Sequence, residues 1–227
     1  MAPDREADTK PAAILVWDAP TRLFHWSLVA LVFVSWLSAD QGYMTVHLLS
    51  GLTLLALLLF RLAWGFFGST TARFGDFLHA PPRVLRYLRG RGQRLHAGHN
   101  PAGGAMVMVL IAVLLAQAVT GLFATDSLHF TGPLALLVSE DASLRLTTLH
   151  GTIFNLILLL VWLHVVAVGF YLLVKGDNLI RPMVTGRKPA SHVPDGLRLV
   201  FTHPVIAVLL LAVSIALVTA LFFWGTT

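Results

Sequence analysis

The chain of 227 residues contains no cysteine. That removes disulfides, iron–sulfur clusters, thiolate zinc sites, a cysteine nucleophile and covalently attached c-type haem, which needs a C-x-x-C-H motif. Charge is scarce as well. Asp, Glu, Lys and Arg make up 12% of the residues, about half of the roughly 25% usual in a soluble domain. Acids are the scarcer sign, at 11 against 16 basic residues, and no long apolar run contains one. What the chain has instead is apolar surface, at 56% of its residues. An ordinary soluble enzyme is excluded on that balance.

Five segments are long and apolar enough to cross a bilayer, which takes about 18 residues or more. They run over Leu23–Ala39, Met44–Phe67, Met106–Ala124, Leu146–Val174 and Val205–Trp224. The first is the shortest, and its helix is expected to begin nearer Pro20. Asn100-Pro101 reads as an N-cap followed by a first-turn proline, and Thr202-His203-Pro204 reads similarly for the fifth helix. The expected fold is an all-α membrane protein. Four helices form a transmembrane bundle, and a fifth transmembrane helix is added to it.

Residues 1–15 read as a cytoplasmic tail, disordered through Pro11, and the opening residues do not have the pattern of a cleavable signal peptide. Residues 16–175 form the expected core, and 176–227 a loop with the fifth helix. The positive net charge does not point to nucleic acid, because 15 of the 16 basic residues fall on one side of the alternating spans. Lys and Arg mark the cytoplasmic side. The N-terminus is therefore expected inside, the C-terminus in the periplasm, and the chain in the bacterial inner membrane. Trp26, Trp36, Trp64 and Trp224 sit near span ends, as an interfacial aromatic belt requires. The Arg83–Arg94 stretch reads either as a short amphipathic interfacial segment or as a solvated basic loop.

Ionisable residues inside spans are costly and mark function by default. Four of the ten histidines lie there: His25, His47, His150 and His164. With alternating helix directions, His47 and His150 share the periplasmic level, and His25 and His164 the cytoplasmic one. His150 and His164 are 14 residues apart, which is ~21 Å along a helix with nearly the same facing. Each would meet a histidine from a neighbouring helix, making two stacked bis-histidine sites. Zinc wants four ligands, and no acid or cysteine within the spans can complete such a cage. A haem needs only two axial imidazoles and brings a large apolar ring that helices can cover. With both axial positions filled, the iron would pass electrons without binding oxygen.

Other residues support this pattern. Gly51 lies one turn after His47, Gly151 adjoins His150, and Gly121 lies toward the periplasmic end of the third span; small residues permit close approach of a flat cofactor or of another helix. Arg61 faces the same side as His47 but at the cytoplasmic level. It can pair with a propionate of the lower haem or snorkel to the headgroups. Gln117, Thr120 and Asn155 are polar residues within spans, by default interhelical hydrogen-bonding groups.

Several motifs together resemble a known family. Val16–Trp26 (VWDAPTRLFHW), His47–Gly51 (HLLSG), Arg61–Gly68 (RLAWGFFG), Ala72–Phe77 (ARFGDF), Gly98–Gly104 (GHNPAGG) and Leu149–Gly151 (LHG) with His164 are similar to bacterial cytochrome b561 proteins. These are related to the b-type cytochrome subunits of nickel–iron hydrogenases. The resemblance covers about Val16–Val174 and implies two haem b groups ligated by His25, His47, His150 and His164. It also implies electron transfer between the membrane quinone pool and a periplasmic partner, such as a c-type cytochrome or a dehydrogenase subunit. The fifth helix departs from the four-span minimum and carries no candidate ligand. Three rival roles remain: a superoxide-oxidising quinone reductase, the anchoring cytochrome of a hydrogenase or other dehydrogenase, and a haem-free scaffold or transporter. The acidic periplasmic loops, with Asp40, Asp126, Glu140 and Asp141 against Arg145, weigh against attracting superoxide.

Overall fold

A computed structural model describes residues 12–91, 95–128 and 130–226. The expected disorder of Met1–Pro11 lies outside these residues. The elements run β1 (Ala13–Leu15), α1 (Ala19–Asp40), α2 (Met44–Phe67), α3 (Phe74–Phe77), α4 (Pro81–Leu88), α5 (Pro101–Leu122), α6 (Glu140–Leu173), α7 (Ile180–Thr185), β2 (Arg187–Pro189) and α8 (Pro204–Thr226). The five long helices α1, α2, α5, α6 and α8 are each apolar and long enough to cross a membrane. The all-α membrane architecture is as expected.

Local chemistry starts these helices where they start. Asp18 caps α1 by accepting from the Thr21 amide at 2.7 Å, and Pro20 occupies the first turn. Asn100 caps α5 through the Gly103 amide at 2.8 Å, with Pro101 in the first turn. Ser139 caps α6, and Glu140 and Asp141 complement the positive end of its dipole. That cap lies several residues before Leu146, so α6 begins earlier than hydropathy alone suggests.

α2 is the central rod. It packs against α1, α5 and α8, whereas α6 lies along α5. Near the acidic end, Leu55 and Ala56 of α2 meet Leu122 of α5 and Val218 of α8. Near the basic end, Phe60 and Trp64 meet Ala207 of α8. Midway, Leu58, Leu114 and Ile157 join α2, α5 and α6, with Leu28 and Val32 of α1 against them. Thus α8 covers the back of α2, on the side away from α6.

Two expectations fail at the basic end. Ala13–Leu15 is not tail, because it pairs antiparallel with Arg187–Pro189. The strand is held by contacts 170 or more residues away in sequence, which local composition does not reveal. Trp64 is not part of the aromatic belt. It is fully buried, stacks on Phe60 and donates its indole N–H to Asp18 Oδ2 at 3.2 Å. Trp26, Trp36 and Trp224 are exposed, as belt residues should be.

Asp18 therefore serves two partners, the α1 amide and the Trp64 indole. Asp18→Ala is expected to cost about 2–4 kcal/mol, because a helix cap is lost and a buried donor is orphaned. The Tm in detergent should fall. Asp40→Ala, on the exposed end of the same helix, should leave it nearly unchanged.

Candidate haem and electron-transfer site

Four half-buried imidazoles face one another in two pairs. The ring centroids of His47 and His150 are 6.0 Å apart, and those of His25 and His164 are 6.5 Å apart. The pairing by depth expected from the sequence is the pairing in the fold. Two imidazoles bound on opposite sides of one metal have centroids about 6 Å apart, if each metal–nitrogen bond is about 2.0 Å. Direct hydrogen bonding between two such rings would bring them closer. Both separations thus suit an intervening ion.

The donor set also suits a macrocycle rather than a bare ion. Among the described residues, no three His, Cys, Asp or Glu side chains gather as an ion cage. At the acidic-end pair there is a cavity of about 410 Å³, lined by His47, His150, Gly51, Gly121, Leu55 and Phe154 among others. Side chains added at Gly51 or Gly151 would meet open space, whereas a Cβ at Gly121 would come within 2.9 Å of the His150 ring. Gly121 therefore lets α5 approach His150, and Gly51 leaves room at the cavity wall.

Hydrogen bonds orient the acidic-end pair. His47 Nδ1 lies 2.8 Å from the Ser35 carbonyl, and His150 Nδ1 lies 2.9 Å from the Gln117 carbonyl. A carbonyl only accepts, so each Nδ1 carries the proton and each Nε2 presents a lone pair. This is the usual arrangement of a metal-binding histidine. The Gln117 side-chain amide donates to His150 Nε2 at 3.0 Å. That amide must swing aside before Nε2 can bind iron. Thr120 also approaches His150 Nδ1, at 3.3 Å. Gln117 and Thr120 are thus interhelical hydrogen-bonding groups, whereas Asn155 sits on the exposed side of α6.

The basic-end pair is built differently. The His25 ring meets Trp26 edge-on at 5.0 Å, and its Nδ1 is buried without a hydrogen-bond partner. Arg61 does not snorkel, since it is only 2% exposed. Its guanidinium lies over Phe74 and Phe77, at 5.2 and 5.9 Å from their ring centroids. One of its terminal nitrogens, Nη1, has no hydrogen-bond partner. A buried cation with an idle donor is ready to receive an anion.

His99, which lies outside the five spans and among none of the candidate site residues, is enclosed in the fold. This residue is packed between Trp17 and Phe77, with both ring centroids 4.7 Å away. It lies deep in the protein, and its Nδ1 is buried without a hydrogen-bond partner. Burial, followed by the charges of Arg61, His164 and His25, lowers its pKa to about 3. The signal in the sequence was its place one residue before the Asn100 cap, at a point where a helix enters the bundle.

Membrane-crossing helices that hold facing imidazole pairs at two levels define a class, the membrane cytochromes that carry electrons on non-covalent haem. The family model of prokaryotic cytochrome b561 matches residues 16–186, about three quarters of the chain. The chain belongs to the prokaryotic cytochrome b561 family. It is a multi-pass bacterial membrane protein, a b-type cytochrome that works in electron transfer, and haem binding follows from the family. No curated protein and no solved structure matches it.

The lowered pKa of His99 has a signed consequence. An unfolded chain protonates this histidine near pH 6.5, whereas the folded chain resists until about pH 3. Protons therefore favour the unfolded state as the pH falls through that window. His99→Phe, which keeps a flat ring between Trp17 and Phe77, should lose less stability than the parent between pH 7 and pH 4. Thermal melting in detergent across that range checks it.

Proposed function

We propose that this protein holds two haem b groups, one at each level, and carries electrons between a periplasmic redox partner and the membrane quinone pool. The observation that carries the reading is the pair of imidazole separations, 6.0 and 6.5 Å, both near the span of two ligands on one iron. His47 and His150 would hold the periplasmic-side group, and His25 and His164 the cytoplasmic-side one. Each haem supplies reversible one-electron chemistry when bound.

The chain's own residues supply the rest. Ser35 and the Gln117 carbonyl keep His47 and His150 in the tautomer that can ligate. Gly51 leaves room for the ring, and Gly121 lets α5 approach His150. Arg61 offers its idle donor to a propionate at the cytoplasmic level. Leu58, Leu114 and Ile157 form a buried apolar cluster between the two levels. Quinone exchange belongs at the level of His25 and His164. The basic end is the cytoplasmic one under the positive-inside rule.

The acidic end supports a protein partner over superoxide. Asp40, Asp126, Glu140 and Asp141 face that side with Arg145, and Arg145 is neutralised by Asp141 at 2.8 Å. Such a surface attracts a basic redox protein and repels an anion.

Pyridine haemochrome assay of the purified protein should give two b haems per chain. His150→Ala and His164→Ala should each retain one, lost from opposite sides. Gly121→Leu should lose the same haem as His150→Ala, because the added side chain displaces that ring. Two haems surviving in both histidine variants would overturn the ligand assignment. Unchanged haem reduction by quinol in His164→Ala would overturn the quinone assignment.

A further inference from the structure

The helix α4 lies in the loop between α2 and α5, away from the four intramembrane histidines. Its residues divide cleanly at 100° per residue. Val84, Leu85, Tyr87 and Leu88 fall on one arc, and Arg83, Arg86 and Arg89 on the other. The apolar arc is itself divided. Val84 and Tyr87 are half-buried against the protein, whereas Leu85 and Leu88 are 46% and 67% exposed. The three arginines are exposed, and no described acid forms an ion pair with them.

Two contacts fix the level of this helix. α4 packs against α5, and the Tyr87 hydroxyl hydrogen-bonds the Tyr171 hydroxyl at 2.7 Å. Tyr171 lies within the last turn of α6, so α4 is held beside the ends of two membrane-crossing helices. Exposed leucines at that level would waste apolar surface in water, and exposed arginines beside them would go unpaired. A membrane surface of anionic lipid satisfies both at once.

We propose that α4 is a surface-lying anchor, with Leu85 and Leu88 inserted below the headgroups and Arg83, Arg86 and Arg89 bound to anionic lipid phosphates. The occupant is lipid rather than a protein, because α4 is held against α5 and at the last turn of α6, two helices that cross the membrane. The Tyr87–Tyr171 bond then links the lipid surface to α6, the helix that carries two of the four intramembrane histidines.

The absence of cysteine makes the test direct. Spin labels at Leu85→Cys, Leu88→Cys, Arg86→Cys and Arg89→Cys are placed one at a time in the full-length protein. The protein is reconstituted in vesicles of phosphatidylcholine mixed with phosphatidylglycerol. Labels at 85 and 88 should be open to dissolved oxygen and shielded from an aqueous nickel chelate, and labels at 86 and 89 the reverse. Spin-labelled phosphatidylglycerol should associate more strongly than phosphatidylcholine. Each basic residue near an anionic surface is worth about a fivefold preference, so the triple variant R83Q/R86Q/R89Q should lose most of that selectivity. Three outcomes would overturn the proposal. They are aqueous exposure of the labels at 85 and 88, shielding of those labels from both reagents by bound protein, and unchanged lipid selectivity in the triple variant.

Discussion

A histidine in hydrocarbon has nowhere to send its polar nitrogens except to another group inside the membrane. The fold meets that demand with its own groups for His47 and His150, and the spans are arranged around both ring pairs. The rings face one another in two pairs, at opposite levels, across the space bounded by α6 on one side and α1 and α2 on the other. α6 supplies one member of each pair because two positions 14 residues apart share a helix face. The antiparallel course of α1 and α2 brings their single histidines to different depths.

The two pairs are held with different stringency. At the acidic end, backbone carbonyls fix both Nδ1 protons, and a glycine on α5 admits the His150 ring. At the basic end, polar atoms are left over: His25 Nδ1, His99 Nδ1 and Arg61 Nη1 are all buried without partners. Buried polar groups are normally satisfied. Three orphans gathered around one pair are therefore evidence about what that end is built to hold. They suit a bound group with acceptor atoms, as a haem propionate has. The buried cluster of Leu58, Leu114 and Ile157 lies between the two levels.

The basic end carries nearly all of the structure outside the spans. Asp18 joins the start of α1 to α2 through Trp64, and Thr71 donates to the Val16 carbonyl at 2.6 Å. β1 pairs with β2, and Lys188 is buried against Asp177 at 2.9 Å. These links make a firm floor beneath His25 and His164. The acidic end carries the turn at 41–43 and the connection at 123–139, which bridges Thr125 to Thr131 and is tied to α6 through Thr147.

The five spans, their caps, the depth of each intramembrane histidine and the family motifs were legible in the residues alone. Hydropathy, capping chemistry and helical rise are local, and each can be read within one or two turns. The burial of Trp64 and Arg61, the strand at Ala13–Leu15 and the enclosure of His99 were not legible, because each is made by residues far away in sequence. An arginine near a span end looks the same whether it reaches outward to lipid or inward over Phe74. Likewise, the apolar sequence of α8 shows that it enters the membrane but not which helix it covers. Hydropathy reports only what avoids water, and packing alone decided that α8 lies behind α2 and leaves the histidine face of the bundle to α6.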